Sequence, residues 1–156
     1  MKGRLLTTAA LALTTGLIAA GCGGDDNTTT TQSQATAEGA AKGEALEIKM
    51  GDYFYDPKVA TVKAGSVTID APNDGKVEHE LMLLKTNIDP AKLPTASDGG
   101  VEEKLHEVAE ENGEIEAEAG ETKSGTFRLT PGKWVMFCNL PGHYAQGMYG
   151  SLTVTK

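Results

Sequence analysis

The chain predicts an all-β fold, a Greek-key sandwich, on three observations. Short segments alternate apolar and polar residues with period two, turn-forming residues interrupt them at close intervals, and at least six such segments fall within roughly 110 residues. Period-two alternation puts successive side chains on opposite faces, which is what a strand with one buried face requires.

Leu46-Glu47-Ile48-Lys49-Met50 opens the pattern, and Gly51-Asp52 and Pro57 interrupt it. Ala60-Thr61-Val62-Lys63 and Ser66-Val67-Thr68-Ile69 follow, separated by Ala64-Gly65. Asn73-Asp74-Gly75 is a turn signal, since Asn and Asp bond their own backbone and Gly adapts to any turn geometry. The next strand, 77–85, carries Leu81 and Leu83 with apolar residues between them, so it can serve two packed layers. After an interruption the alternation resumes at 126–129, 133–138 and 151–155.

The interruption, 87–121, reads as an insertion carrying one short acidic helix. Val101, Leu105, Val108 and Ala109 recur at helical spacing, with Glu102, Glu103, Glu107, Glu110 and Glu111 between them. Nine of the 22 acidic residues lie within 102–121, with Lys104 as the only Lys or Arg among them. Such a run is a solvated helix face or, more specifically, a docking patch for a basic partner. His106 sits beside Glu102, Glu103 and Glu110, where helical spacing favours ion pairing; a second metal ion there is the weaker alternative.

Residues 1–21 read as an export signal: Lys2 and Arg4, an apolar run at 5–20, then Ala19-Ala20-Gly21 before Cys22. The run contains four threonines and is shorter than the roughly 20 residues that span a bilayer, so a permanent membrane helix is disfavoured. Small residues before a cysteine resemble a lipoprotein leader, although Ala19 stands where such leaders usually carry Leu. That resemblance implies lipidation of Cys22; the alternative is ordinary leader cleavage that leaves a free thiol. Residues 22–43, rich in Gly, Asp, Asn, Thr and Ser, form a tether, which places the functional domain at 44–156. Net charge is -8 and becomes -10 once Lys2 and Arg4 leave with the signal, which argues against binding of nucleic acid.

The chemistry is concentrated near the C-terminal end. Cys138, His143 and Met148 are spaced C-x4-H-x4-M, with Pro141-Gly142 turning the chain between the first two. Thiolate, imidazole and a weak thioether together suit copper in both oxidation states. Taken alone, Cys138 would be an inert core thiol and Met148 a gap-filling core side chain. A second imidazole is wanting, and His79, just after the Asn73-Asp74-Gly75 turn, is better placed to supply it than His106. Period two puts Trp134 and Met136 on the Cys138 face of their strand.

An upstream single His, an aromatic strand running into Cys, a Pro-Gly-His loop and Gly-Met before a last strand resemble the cupredoxins, the type 1 blue copper proteins. The resemblance covers about 44–156, and the spacing is most similar to rusticyanin-type and sulfocyanin-like members. It implies one copper ion, Cu(I)/Cu(II), with His79, Cys138 and His143 as equatorial ligands and Met148 as the long axial one. Family members often carry Asn or Ser after the first His, where this chain has Glu80; that carboxyl group is expected to meet Asn139 and tune the metal. Leu140, Pro141, Tyr144 and Ala145 are expected to form an apolar docking patch around His143.

The resemblance implies a membrane-tethered, monomeric one-electron carrier, exported and anchored to the outer face of the cytoplasmic membrane. A c-type cytochrome or a membrane oxidase is its implied class of partner. Copper delivery, storage or resistance without redox cycling is the alternative. An enzyme is not expected: multicopper oxidases need many more histidines, a dinuclear purple centre needs two cysteines where this domain has one, and a zinc hydrolase needs an open coordination position and a base.

Overall fold

The computed structural model describes residues 43–156. The expected leader, Cys22 and the tether up to residue 42 lie outside the described residues. Among the described residues ten strands and one α-helix form in the order β1 (Glu44–Glu47), β2 (Lys49–Gly51), β3 (Phe54–Asp56), β4 (Val59–Lys63), β5 (Gly65–Pro72), β6 (His79–Lys85), α1 (Glu103–Glu110), β7 (Glu114–Ala117), β8 (Thr122–Leu129), β9 (Gly132–Phe137) and β10 (Tyr149–Thr155). One sheet has the order β1-β5-β8, a second β4-β10-β9-β6-β7, and β2 and β3 pair as a hairpin. The β1–β5 and β4–β10 pairs are parallel and the others antiparallel.

Alternation decides which side chains enter the sandwich. Val67, Ile69 and Ala71 of β5, with Phe127 and Leu129 of β8, meet Leu81 and Leu83 of β6, Trp134 and Met136 of β9, and Leu152 and Val154 of β10. Cys138 and Met148 belong to the same cluster, so both sulfur atoms are set into the sandwich interior. The alternate residues Met82, Leu84, Val135 and Phe137 face the other way, where Leu93, Val101, Ala109 and Tyr144 cover them. Strand β6 is therefore buried on both faces, which explains its unbroken apolar run.

The insertion is more ordered than its sequence suggests. Its helix begins at Glu103, and Val101 lies before it in a bridge to Thr95. Ala109 is the buried contact, whereas Val108 is 48% exposed. Residues 114–117 pair with β6 as the sheet's edge strand, so part of the expected insertion completes the sandwich. That strand is four residues long and two of them are Glu, too short and too charged to stand out beside an acidic helix.

Asn73 holds the entry to β6. Its Nδ2 donates to the carbonyls of Val77 and Ala117, both at 2.8 Å, and its Oδ1 accepts the Gly75 N–H at 2.9 Å. The residue is 1% exposed, and these bonds satisfy its amide while fixing the turn that delivers His79.

Candidate metal centre

Three side chains meet at one end of the sandwich and Met148 is held beside them, since His79, Cys138 and Met148 sit where strands begin or end and the intervening loop carries His143. His79 is the first residue of β6, Cys138 follows β9, His143 lies on the loop beyond it, and Met148 precedes β10. Backbone bonds close that loop upon itself. The Cys138 N–H donates to the Met148 carbonyl at 3.2 Å, and the Met148 N–H to the His143 carbonyl at 3.2 Å. The His143 N–H in turn donates to the Leu140 carbonyl at 3.0 Å. Gly142 and Gly147 take φ of 80° and 105°, left-handed conformations that let the loop turn without a Cβ penalty.

The Nδ1 atoms of His79 and His143 are 3.3 Å apart, and Cys138 Sγ lies 3.3 Å from His143 Nδ1. All three donor atoms fall within 4.8 Å of one another, so one ion can touch them at ordinary bond lengths of about 2.0–2.3 Å. His79, Cys138 and Met148 are fully buried, and His143 is only half-buried. Burial holds both imidazoles below the usual histidine range, which leaves them neutral with lone pairs to donate. It pushes the Cys138 thiol up to about 12, against backbone N–H groups of Leu140 and Glu80 that pull the other way.

Residues 42–155 match the model of the copper-binding proteins of the plastocyanin/azurin family. The chain belongs to that family. It is 26% identical to the copper-resistant cuproprotein CopI of Pseudomonas aeruginosa over 76% of this chain and 80% of that protein. A shorter stretch of 38 residues, 24% of this chain and 16% of the relative, is 55% identical to auracyanin-B of Chloroflexus aurantiacus. The crystal structure of dithionite-reduced auracyanin from Roseiflexus castenholzii superposes with a TM-score of 0.54 at 23% identity, covering 72% of this chain and 97% of that one, which is a likeness of fold.

The residues present fit the family's copper. Two neutral imidazole nitrogens and a thiol sulfur converge on one point with a buried thioether residue beside them, the soft and borderline donor set of a type 1 cupredoxin centre. His79, Cys138, His143 and Met148 would hold the ion.

Two neighbours of this centre have no signal in the sequence pattern. Asp52 reaches His79 from the β2–β3 turn, its Oδ1 3.5 Å from Nε2, the ring nitrogen facing away from the metal position. The Lys76 N–H donates to the same Oδ1 at 2.7 Å and holds the carboxyl group below its usual range. Tyr53 follows at φ 69°, a left-handed conformation that costs a non-glycine residue about 1–2 kcal/mol. Its ring stands edge-on to His143 and His79, with centroids 5.1 and 6.2 Å away.

Glu80 is 4% exposed, and its Oε2 accepts the Asn139 N–H at 3.1 Å. Burial pushes this carboxyl group up to about 7, with Glu114 and Glu116 adding repulsion. Asn139 Oδ1 accepts the Val101 N–H, so the loop beyond Cys138 is tied to both β6 and the insertion. Of the expected docking residues, Pro141 and Ala145 are exposed and Leu140 is half-buried. Tyr144 departs from expectation: it is 4% exposed, because its hydroxyl donates to the Pro90 carbonyl at 2.7 Å and accepts the Leu93 N–H at 2.9 Å. It fastens the ligand loop to the insertion instead of facing a partner.

Proposed function

We propose that this cupredoxin is a one-electron carrier, exported and tethered to the outer face of the membrane through lipid on Cys22. The observation that supports this reading is the preformed donor set: His79, Cys138 and Met148 are buried on strand ends, and His143 alone approaches the surface. Copper bound there supplies a Cu(I)/Cu(II) couple. The protein's part is to hold donors suited to both oxidation states in positions neither state must rebuild, with water excluded. His143, on its loop beside Leu140, Pro141 and Ala145, would be the route by which an electron enters or leaves.

A basic redox protein, such as a c-type cytochrome or a membrane oxidase, is the proposed partner. The acidic residues of 102–121 would steer its approach, and association would then slow steeply with added salt.

Absorption and electron paramagnetic resonance of the protein loaded with one equivalent of Cu(II), followed through reduction and reoxidation, test the carrier reading. It expects an intense thiolate-to-copper band with narrow hyperfine splitting that bleaches and returns. A pale spectrum, or loss of metal on reduction, overturns it. A second reading, copper resistance, draws on the similarity to CopI over 76% of the chain. It predicts copper that passes readily to a competing chelator, whereas a carrier retains its ion through repeated cycles.

A further inference from the structure

On the outer face of the sheet, Glu80 of β6, Glu114 of β7 and His106 of α1 present donor atoms that all lie within 4.8 Å of one another. Glu80 is 4% exposed, His106 is half-buried and Glu114 is exposed, so the cluster runs from the sheet surface out to solvent beside the helix. Glu114 is paired with Met82 and Glu116 with Glu80 in the β6–β7 register, which puts three carboxyl groups on one face. Among the described residues no Lys or Arg forms an ion pair with any of them. A buried carboxylate beside two others without a Lys or Arg is an expensive arrangement, and the His106 imidazole is within reach of it.

We propose that Glu80, His106 and Glu114 form a second metal site, separate from the copper centre, for a borderline divalent cation of the zinc class. Two carboxylate oxygens and one imidazole nitrogen are hard and borderline donors, without the thiolate and thioether that favour Cu(I). Three protein ligands leave a position open on the solvent side for water. The small closure needed to reach bond lengths of about 2.0–2.2 Å falls on His106 and Glu114, the two more exposed members. His106 also has Glu110 on the next helical turn, 3.7 Å from its Nε2. Glu80 links the two sites, since its Oε2 holds the N–H of Asn139, the residue after Cys138.

Zn2+ is the probe. The copper-loaded full chain is dialysed against zinc, and bound zinc and copper are both counted; His106→Ala, Glu114→Gln and Glu118→Gln are treated alike, Glu118 being an exposed acid outside the cluster. The expected result is one zinc per chain with copper content unchanged. Affinity should fall roughly tenfold or more in the His106 and Glu114 variants and hold in the Glu118 variant. No additional zinc, zinc gained only as copper is lost, or zinc retained at full affinity in the His106 and Glu114 variants would each overturn the proposal. His106 and Glu114 lie at the surface of an exposed helix and an edge strand, and the blue absorption of each variant reports that the fold survives.

Discussion

His79 Nε2 lies 3.5 Å from Asp52 Oδ1, while the other nitrogen of the same ring faces His143 Nδ1 at 3.3 Å. Nε2 makes no hydrogen bond, and the carboxylate beside it favours the ring proton on that nitrogen, which leaves Nδ1 free to donate its lone pair and increases its basicity. Asp52 also brings negative charge close to the metal position, which favours Cu(II) over Cu(I). Asp52→Asn keeps an acceptor and removes the charge, so it should keep the colour and raise the reduction potential. Asp52→Ala should in addition lower Cu(II) affinity by roughly tenfold or more. Equal potentials in the wild type and both variants would show that the carboxylate does not act on the metal.

Gly75 sits against this pair. A Cβ at that position would come within 2.8 Å of His79 Nε2, 2.6 Å of Asp52 Oδ1 and 3.0 Å of Asn73 Oδ1. Asp52 can swing towards solvent, but the buried imidazole and the fully bonded Asn73 amide have nowhere to go. Gly75→Ala should therefore destabilise the fold by about 1–3 kcal/mol and weaken copper binding. Denaturant unfolding of the metal-free and copper-loaded forms checks both effects, and the loss should be larger in the loaded form.

The residues of the candidate centre were legible because Cys138, His143 and Met148 fall in one short segment with a distinctive spacing and His79 follows a strong turn signal. Strands β4, β5 and β10 were legible for a similarly local reason, an alternation uninterrupted by charge on the buried face, and β9 as a short apolar run buried on both faces. Asp52 and Tyr53 were not, since nothing local says that a turn 27 residues before His79 folds over its ring. Strand β7 was masked by its glutamates, and the burial of Tyr144 depends on two backbone groups of the insertion, Pro90 and Leu93, which no periodicity places beside it.

Tyr144→Phe tests that fastening. The ring would still fill its place against Tyr149, but the Leu93 N–H would lose its acceptor and the Pro90 carbonyl its donor. Leaving the buried Leu93 N–H unpaired costs about 1–3 kcal/mol, read as a lower thermal midpoint. The copper absorption should change little, because the loop's own backbone bonds remain. Amide exchange at 91–93 should accelerate, and unaltered exchange there would mean the hydroxyl does not hold the insertion.

Two groups whose proton affinity rises on folding, Glu80 and Cys138, set the pH response of the metal-free protein. Glu80 moves from 4.5 to about 7 on folding, so the folded state holds its proton more tightly than the unfolded state does. Its contribution to stability is complete below the unfolded value and is lost as pH rises through about 7, a change of about 3 kcal/mol at most. Glu80→Gln should flatten that slope in chelator-treated protein. Cys138 behaves likewise at higher pH, with stability falling between 9.0 and about 12. Since the thiol is protonated at neutral pH, Cu(II) binding should release its proton, and affinity should rise about tenfold per pH unit there. A pH-independent affinity would mean that Cys138 does not bind as thiolate.

Substitution of the two sulfur ligands separates what each contributes. Cys138 is buried at the end of β9, its N–H held by the Met148 carbonyl, so replacing the side chain alters the donor with little change in the loop. Cys138→Ala should abolish the intense visible band and leave at most a pale Cu(II) site at the two imidazoles, because that absorption requires a thiolate. Met148 is equally buried, and its backbone position is fixed through Cys138 and His143. Met148→Gln replaces a soft thioether with a harder oxygen donor that prefers Cu(II), so it should keep the colour and lower the potential. If the Cys138 variant stayed blue, or the Met148 variant shifted to higher potential, the assignment of these sulfurs to equatorial and axial positions would fail.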